Sequence, residues 1–202
     1  MDKKPNDEMD IIFIMDRSGS MTGFSEDTIG GFNSFIEKEK EKDITTYVTT
    51  ILFDNDYEIL YERKEINKVE KLTEKEYWPR GSTALLDAIG KTITSFERKI
   101  DGKALVVIMT DGYENASVEF SKKQIKEMID KHDWEFIYLG AEIDSYSEAS
   151  QFGFSKSRIA NYDRSAKAVD EVFTSVGHAR DMMVEDMSLD NASWKKELNK
   201  YD

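Results

Sequence analysis

The stretch of residues 11–20 reads Ile-Ile-Phe-Ile-Met-Asp-Arg-Ser-Gly-Ser, an apolar run followed directly by mainly short polar residues. Its first half is a continuous apolar run, which is typical of a strand buried on both faces in a parallel sheet. Its second half places Asp16, Ser18 and Ser20 at alternating positions of a loop that directly follows the strand. The stretch therefore predicts a central strand with short oxygen-bearing side chains at its carboxyl end.

Further along the chain, strand-like runs alternate with segments of helical periodicity. Ala104 to Met109 and Glu135 to Leu139 are two more strand candidates, and Arg158 to Ala160 is a short last one. Thr45 to Phe53, followed by the alternating segment Tyr57 to Tyr61, predicts a hairpin with one antiparallel edge strand. This order predicts an α/β fold, in which helices flank a mainly parallel sheet.

The sequence also predicts where elements begin and how far the folded core extends. Ser25 is the expected N-cap of the first helix, and Ser121 with Gln124 fits a capping box of a later one. We expect a single domain over residues 1–202, with a core from about 9 to 183. The polar tail, from about 187 to 202, is expected to fray.

Composition excludes several classes of function. The 202 residues carry 28 basic and 41 acidic side chains, a net charge of −13, and no cysteine. The lack of cysteine excludes disulfides, thiolate zinc sites and cysteine nucleophiles. The negative charge argues against binding to nucleic acid or to anionic membranes. We find no targeting segment or membrane span in the sequence, so the expected location is the cytoplasm.

Two further loops supply oxygen ligands near the first one. Thr110-Asp111-Gly112 follows a buried strand, and Thr83 precedes a helix. Open α/β sheets bind ligands at the carboxyl ends of their strands, so these side chains are expected to converge with the 16–20 loop. Two carboxylates and several hydroxyls make a hard site that suits Mg²⁺ or Mn²⁺, with Ca²⁺ less favoured because it takes more ligands.

Asp16-Arg17-Ser18-Gly19-Ser20 resembles the DxSxS motif of von Willebrand factor type A (vWA) domains, their metal-ion-dependent adhesion site (MIDAS). Thr83 and Asp111 match the threonine and aspartate that complete this site, and the resemblance runs from about Met9 to Met183. It implies a three-layer Rossmann-like vWA fold with a six-stranded sheet, of a bacterial, intracellular kind.

The resemblance also implies how the site works. Ser18 and Ser20 would bind the ion directly, Thr83 would join in the ligand-engaged state, and Asp16 and Asp111 would act mainly through metal-bound water. The function implied is cation-dependent binding of a protein partner through its Asp or Glu side chain, without enzymatic activity. From loop position alone, we expect the surrounding surface to include Arg17, Met21, Phe24, Tyr113 and Glu114, with Arg17 and Arg80 attracting an acidic partner at short range.

Two alternatives stay open from the sequence. Asp16 could be the nucleophile of a Mg²⁺-dependent phosphotransferase or hydrolase, although Ser18 stands where related enzymes carry a second aspartate for acid–base work. The site could also be vestigial, within a scaffold that binds partners without metal.

Overall fold

The strands form one mixed sheet, in the computed structural model that describes residues 8–202. Its order is β3-β2-β1-β4-β5-β6, and every neighbouring pair is parallel except β2 and β3. The strands are β1 (Glu8–Asp16), β2 (Thr45–Phe53), β3 (Tyr57–Glu65), β4 (Lys103–Thr110), β5 (Glu135–Ala141) and β6 (Ile159–Tyr162). The predicted α/β class, the hairpin and its antiparallel edge strand are confirmed.

Helices cover both faces of this sheet, giving three layers. They are α1 (Ser25–Lys40), α2 (Leu85–Phe96), α3 (Lys122–Lys131), α4 (Ser145–Ser150) and α5 (Ala166–Val184). Along β1, Ile11 and Phe13 join the core cluster that contains residues of α1 and α5, whereas Ile12 joins the cluster that contains residues of α2 and α3. A strand buried on both faces explains why its sequence is continuously apolar.

The predicted helix starts have different outcomes. Ser121 accepts from the Gln124 amide, and the Gln124 side chain accepts from the Ser121 amide, so the capping box is confirmed. The prediction of Ser25 as an N-cap is wrong, because α1 already begins at Ser25 and Phe24 precedes it without a side-chain cap. Helix α1 instead carries Glu26 and Asp27 in its first turn, where they favourably face its N-terminal dipole.

The prediction that residues from about 187 to 202 fray is wrong. This segment forms short 3₁₀ helices, Leu189–Asn191 and Ser193–Tyr201, that pack on α5 and β6. The side chains of Leu189, Trp194 and Leu198 are fully buried in the core. These three apolar residues are widely spaced in a polar segment, so the sequence pattern did not indicate that the segment packs against the core.

Two predictions from the sequence, the single domain and the lack of a targeting segment, include residues that the structure does not describe. The assignment of all 202 residues to one domain stays a prediction. Residues 1–7, which belong to the stretch searched for a targeting segment, lie outside the described part. Within residues 8–202, no helix has the length and apolar character needed to cross a membrane.

Replacing Trp194 tests whether the C-terminal segment belongs to the core. Its ring is fully buried, and its Nε1 donates to the Ser157 carbonyl oxygen at 2.8 Å. Trp194→Ala should lower the free energy of unfolding by roughly 3–5 kcal/mol, measured by urea denaturation. The neighbouring exposed Lys196→Ala is the control and should change it little. Equal stability of the two variants would contradict the packing described.

Candidate functional site

The candidate site lies where the strand order reverses. From β1 the chain continues to β2 on one side, while β4 lies on its other side. Strand β1 leads to α1 on one face of the sheet and β4 leads to α3 on the other, an arrangement that leaves a crevice of the kind that binds ligands in open α/β sheets. Asp16 ends β1 and Asp111 directly follows β4, so both reach this crevice.

Asp16 is a buried carboxylate with both oxygens hydrogen-bonded. Oδ1 accepts from the Ser18 amide at 2.6 Å, and Oδ2 accepts from the Thr110 hydroxyl at 2.6 Å. Removal from water is the main cause that raises the pKa of Asp16 to about 6, while these hydrogen bonds partly oppose it. The carboxylate is held in one orientation by the ends of two neighbouring strands, and its charge is poorly compensated there.

The two serines and the second aspartate form a chain of contacts. Ser18 Oγ lies 3.0 Å from Ser20 Oγ, and Ser20 Oγ donates to Asp111 Oδ1 at 2.5 Å. A 3₁₀ turn over Gly19–Met21 shapes the loop between the serines. Ser18 and Asp111 are buried, whereas Ser20 is exposed, so the site opens to solvent on the Ser20 side.

Thr83 completes the group from a separate loop. Its side chain is buried, and a methyl group built on Gly112 would lie 2.8 Å from Thr83 Oγ1 and 3.6 Å from Ser20 Oγ. The absence of a side chain at Gly112 therefore lets the threonine hydroxyl approach the Asp111 loop. The structure brings together all five residues singled out from the sequence: Asp16, Ser18, Ser20, Thr83 and Asp111.

Supporting hydrogen bonds that sequence reasoning missed hold these loops in place. Asn115 clamps Thr83, because its side-chain oxygen accepts from the Thr83 amide at 3.0 Å and its own amide donates to the Thr83 carbonyl at 3.1 Å. The Glu114 carboxylate accepts from the amides of Leu86 and Ser117, at 2.9 and 2.7 Å. These contacts tie the loop after β4 to the start of α2, a link between distant segments that no local pattern signals.

Arg164 is the most consequential residue that sequence reasoning missed. It follows β6, and its Nη2 forms an ion pair with Asp111 Oδ2, while its Nε lies 3.2 Å from Glu142 Oε2. Burial raises the pKa of Asp111, and the hydrogen bond from Ser20 and the charge of Arg164 counteract part of that rise. The position just after a parallel strand was the available signal, since it puts Arg164 at the same edge of the sheet as Asp16.

The surface around the site differs from the one expected. Arg17, Met21 and Phe24 are buried, so their assignment to the surrounding surface is wrong. Arg17 faces inward because Asp54 and Glu58 bind its guanidinium at 2.9 and 2.6 Å. It is therefore not available to attract an acidic partner.

Aromatic side chains occupy the exposed positions of this edge instead. Tyr113 is about half exposed, as the loop position suggested, and Trp78 is equally exposed. Arg80 stacks on Trp78, with its guanidinium carbon 4.1 Å from the ring centroid, and also pairs with the buried Asp54 at 3.1 Å. The loop that carries both residues is bound to the Arg17 carbonyl oxygen through the Arg80 amide at 2.8 Å, which places it beside the site.

The donor set fits a hard divalent cation. Within residues 8–202 no group of three or more His, Cys, Asp or Glu side chains is arranged to hold a metal ion. The five converging residues offer two carboxylates and three hydroxyls instead, which is the oxygen chemistry that Mg²⁺ and Mn²⁺ accept together with water. A cation there would also compensate two buried carboxylates whose pKa values burial has raised.

A family model described as VWA domain containing CoxE-like protein matches residues 1–133. A comparison with curated protein sequences gave no match.

Solved structures of vWA domains share this fold at low sequence identity. A structure of proximal thread matrix protein 1 from the mussel byssus, with a zinc-occupied MIDAS motif, has a TM-score of 0.64 at 16% identity, covering 84% of this chain and 44% of that one. The vWF domain of the type V pili tip protein Mfa5 from Porphyromonas gingivalis gives 0.64 at 9%, covering 85% and 95%. A von Willebrand factor type A protein from Catenulispora acidiphila gives 0.62 at 14%, covering 89% and 43%. The chain thus spans less than half the length of the mussel protein.

Asp16→Asn tests the electrostatic state of the site without metal. The pKa of Asp16, about 6 when folded, exceeds its ordinary value of 3.8, so ionisation destabilises the fold as pH rises through this interval. In chelator at about pH 7.5, the variant should be more stable than wild type by up to about 3 kcal/mol, and the difference should vanish toward about pH 4. Urea denaturation at both pH values measures this.

The exposed Asp43→Asn is the charge-matched control and should show little difference at either pH. An Asp16→Asn variant that is less stable than wild type at about pH 7.5 would show that the carboxylate is stabilising without a cation.

Proposed function

The chain belongs to the family of VWA domain containing CoxE-like proteins, and from this and its site geometry we propose that it is a divalent-cation-dependent protein-binding module. The observation that carries the proposal is the convergence of Asp16, Ser18, Ser20, Thr83 and Asp111 at the ends of β1 and β4. Mg²⁺ or Mn²⁺ is the proposed ion, and a protein partner that presents Asp or Glu is the proposed ligand.

The ligand set explains why an acidic partner is favoured. Hydroxyls are neutral, so an ion held mainly by Ser18, Ser20 and Thr83 keeps much of its positive charge. Ser20 is exposed and Thr83 lies just beneath the surface, so a partner carboxylate can approach the ion from solvent. Exposed Trp78 and Tyr113 stand beside this approach and supply the apolar contact area typical of protein interfaces.

The surroundings of Asp16 argue against the phosphotransferase alternative. A carboxylate nucleophile must expose an oxygen to the phosphorus atom, whereas Asp16 is fully buried and both of its oxygens accept hydrogen bonds. We therefore propose a binding role without catalysis. Turnover of an aryl phosphate that is lost in Asp16→Asn and kept in Ser18→Ala would contradict this.

Similar structures support the proposal at the level of the fold. A zinc-occupied MIDAS in the mussel matrix protein shows that this fold can hold a divalent ion, and a pilus tip protein carries the same fold. The ion of this chain is inferred from its own residues, the acidic partner follows from those residues and from the vWA resemblance together, and the cytoplasmic location stays a prediction.

Gly112→Ala tests whether Thr83 and Asp111 form one metal site. The added methyl would stand 2.8 Å from Thr83 Oγ1, so the threonine hydroxyl must move away from the other ligands. Mg²⁺ and Mn²⁺ affinity, measured by isothermal titration calorimetry, should fall by about tenfold or more, as for loss of a ligand contact. Gly102→Ala is the control, because a methyl there meets nothing within 4 Å. Equal affinities would argue against a shared site.

Partner capture with and without chelator tests the function itself. Proteins retained by the immobilised wild-type chain in Mg²⁺ should be lost in chelator and in Thr83→Ala. Thr94→Ala, which removes a hydroxyl near the far end of α2, should keep them. A peptide containing Glu should compete for the retained protein, and its Gln counterpart should not. Retention that is equal with and without metal would support the metal-independent scaffold instead.

A further inference from the structure

We propose that the guanidinium of Arg164 competes with the divalent ion for Asp111 and thereby lowers the metal affinity of the site. This inference rests on the proposed metal site. Its basis is the ion pair between Arg164 Nη2 and Asp111 Oδ2, which places a positive charge directly against one of the five candidate metal-site residues.

The contacts of Asp111 show why this ion pair matters. Its side chain is fully buried, one oxygen accepts from the Ser20 hydroxyl and the other binds Arg164. A buried carboxylate is strongly destabilising unless an opposite charge or hydrogen bonds compensate it. Arg164 supplies that charge without metal, and a divalent ion next to Ser20 would supply the same compensation. The two cations therefore serve the same carboxylate.

Repulsion makes the two cations exclude each other. Ser20 contacts both Ser18 and Asp111, so an ion bound to these residues would lie close to the guanidinium. Like charges repel strongly in a half-buried site, because water screens them poorly. Binding of the ion must then be coupled to weakening of the Arg164–Asp111 pair.

Glu142 gives Arg164 a second anionic partner. Its carboxylate lies 3.2 Å from Arg164 Nε and is more than half exposed. The Glu142 backbone is left-handed, with φ 54°, and its amide donates to the Tyr162 carbonyl oxygen at 3.2 Å, which fixes it beside the end of β6. An arginine released from Asp111 thus keeps an anionic partner at the site edge. This arrangement lets Arg164 give up Asp111 while keeping its ion pair with Glu142.

Arg164→Gln compared with Lys167→Gln tests the inference. Both variants remove one positive charge from the same segment, but Lys167 is exposed and pairs with Glu171 at 3.9 Å, away from Asp111. By isothermal titration calorimetry, Arg164→Gln should bind Mg²⁺ and Mn²⁺ about three- to tenfold more tightly than wild type, the range expected for loss of a partly exposed opposing charge. Lys167→Gln should stay within about twofold of wild type.

The unfolding temperature provides a second measurement, which does not require a protein partner. In chelator, Arg164→Gln should unfold at a lower temperature than Lys167→Gln, because Asp111 has lost its compensating charge. Saturating Mg²⁺ should remove most of this difference, since the ion then compensates the carboxylate. A purely structural role for Arg164 would leave the difference in place at any metal concentration.

The outcomes separate this inference from the proposed function. If wild type binds metal and Arg164→Gln binds it equally or more weakly, the competition is overturned and the metal site stands. If neither wild type nor either variant binds metal, the proposed site and the competition both fail. Metal binding by Arg164→Gln alone would support the competition in its strongest form.

Discussion

The hydrogen bond between Asp16 and Thr110 is the contact on which the rest of the site depends. It joins the carboxyl ends of β1 and β4, at the reversal of strand order, through a carboxylate that water does not reach. A buried charge must be satisfied by the protein, so its partners are confined to one geometry. The Ser18 amide takes the other carboxylate oxygen, and the Tyr77 hydroxyl donates to the Asp16 backbone carbonyl. Three separate segments are thereby held around one residue.

This constraint explains how weak ligands can form a site. Serine and threonine hydroxyls bind cations poorly one at a time, so they must be held together before an ion arrives. The clamp between Thr83 and Asn115 and the contact between Ser18 and Ser20 do this with backbone and neighbouring hydroxyls. The Glu114 carboxylate, with its several amide donors, holds the loop behind them. The hydrogen bonds that hold the loops in place thus involve more residues than the five candidate ligands.

Sequence patterns predicted the strands and the fold class well, because each strand is specified by residues that are neighbours in the sequence. A continuous apolar run such as Ile11 to Met15 specifies a strand buried on both faces, and alternation near Tyr57 specifies an edge. The five candidate residues could be named for the same reason, since each stands directly after a strand or before a helix. Their convergence then follows from parallel pairing, which aligns the strand ends.

The errors came from contacts between distant segments. Arg17 was expected at the surface because it lies in a loop, yet Asp54 and Glu58 draw its guanidinium inward. Arg164 binds a residue 53 positions earlier, and no local pattern carries that pairing. Trp194 escaped notice because its neighbours are polar, although its own ring is buried. In each case the deciding partner is fixed by tertiary structure.

The charges of the site connect metal affinity to partner preference. Asp16, Asp111 and Arg164 together carry one net negative charge, and Glu142, which pairs with Arg164, adds a second at the exposed edge of the site. A divalent ion would bring these four side chains to a net charge of zero, whereas without the arginine the loaded site would keep one net negative charge and repel an acidic side chain. Under the proposal, the arginine would weaken the hold on the ion but prevent a net negative charge at the loaded site, on a chain whose overall charge is −13. An acidic partner that the negatively charged surface repels would then be repelled least at the ion, so the ion pair proposed to lower metal affinity would also sharpen the choice of binding position.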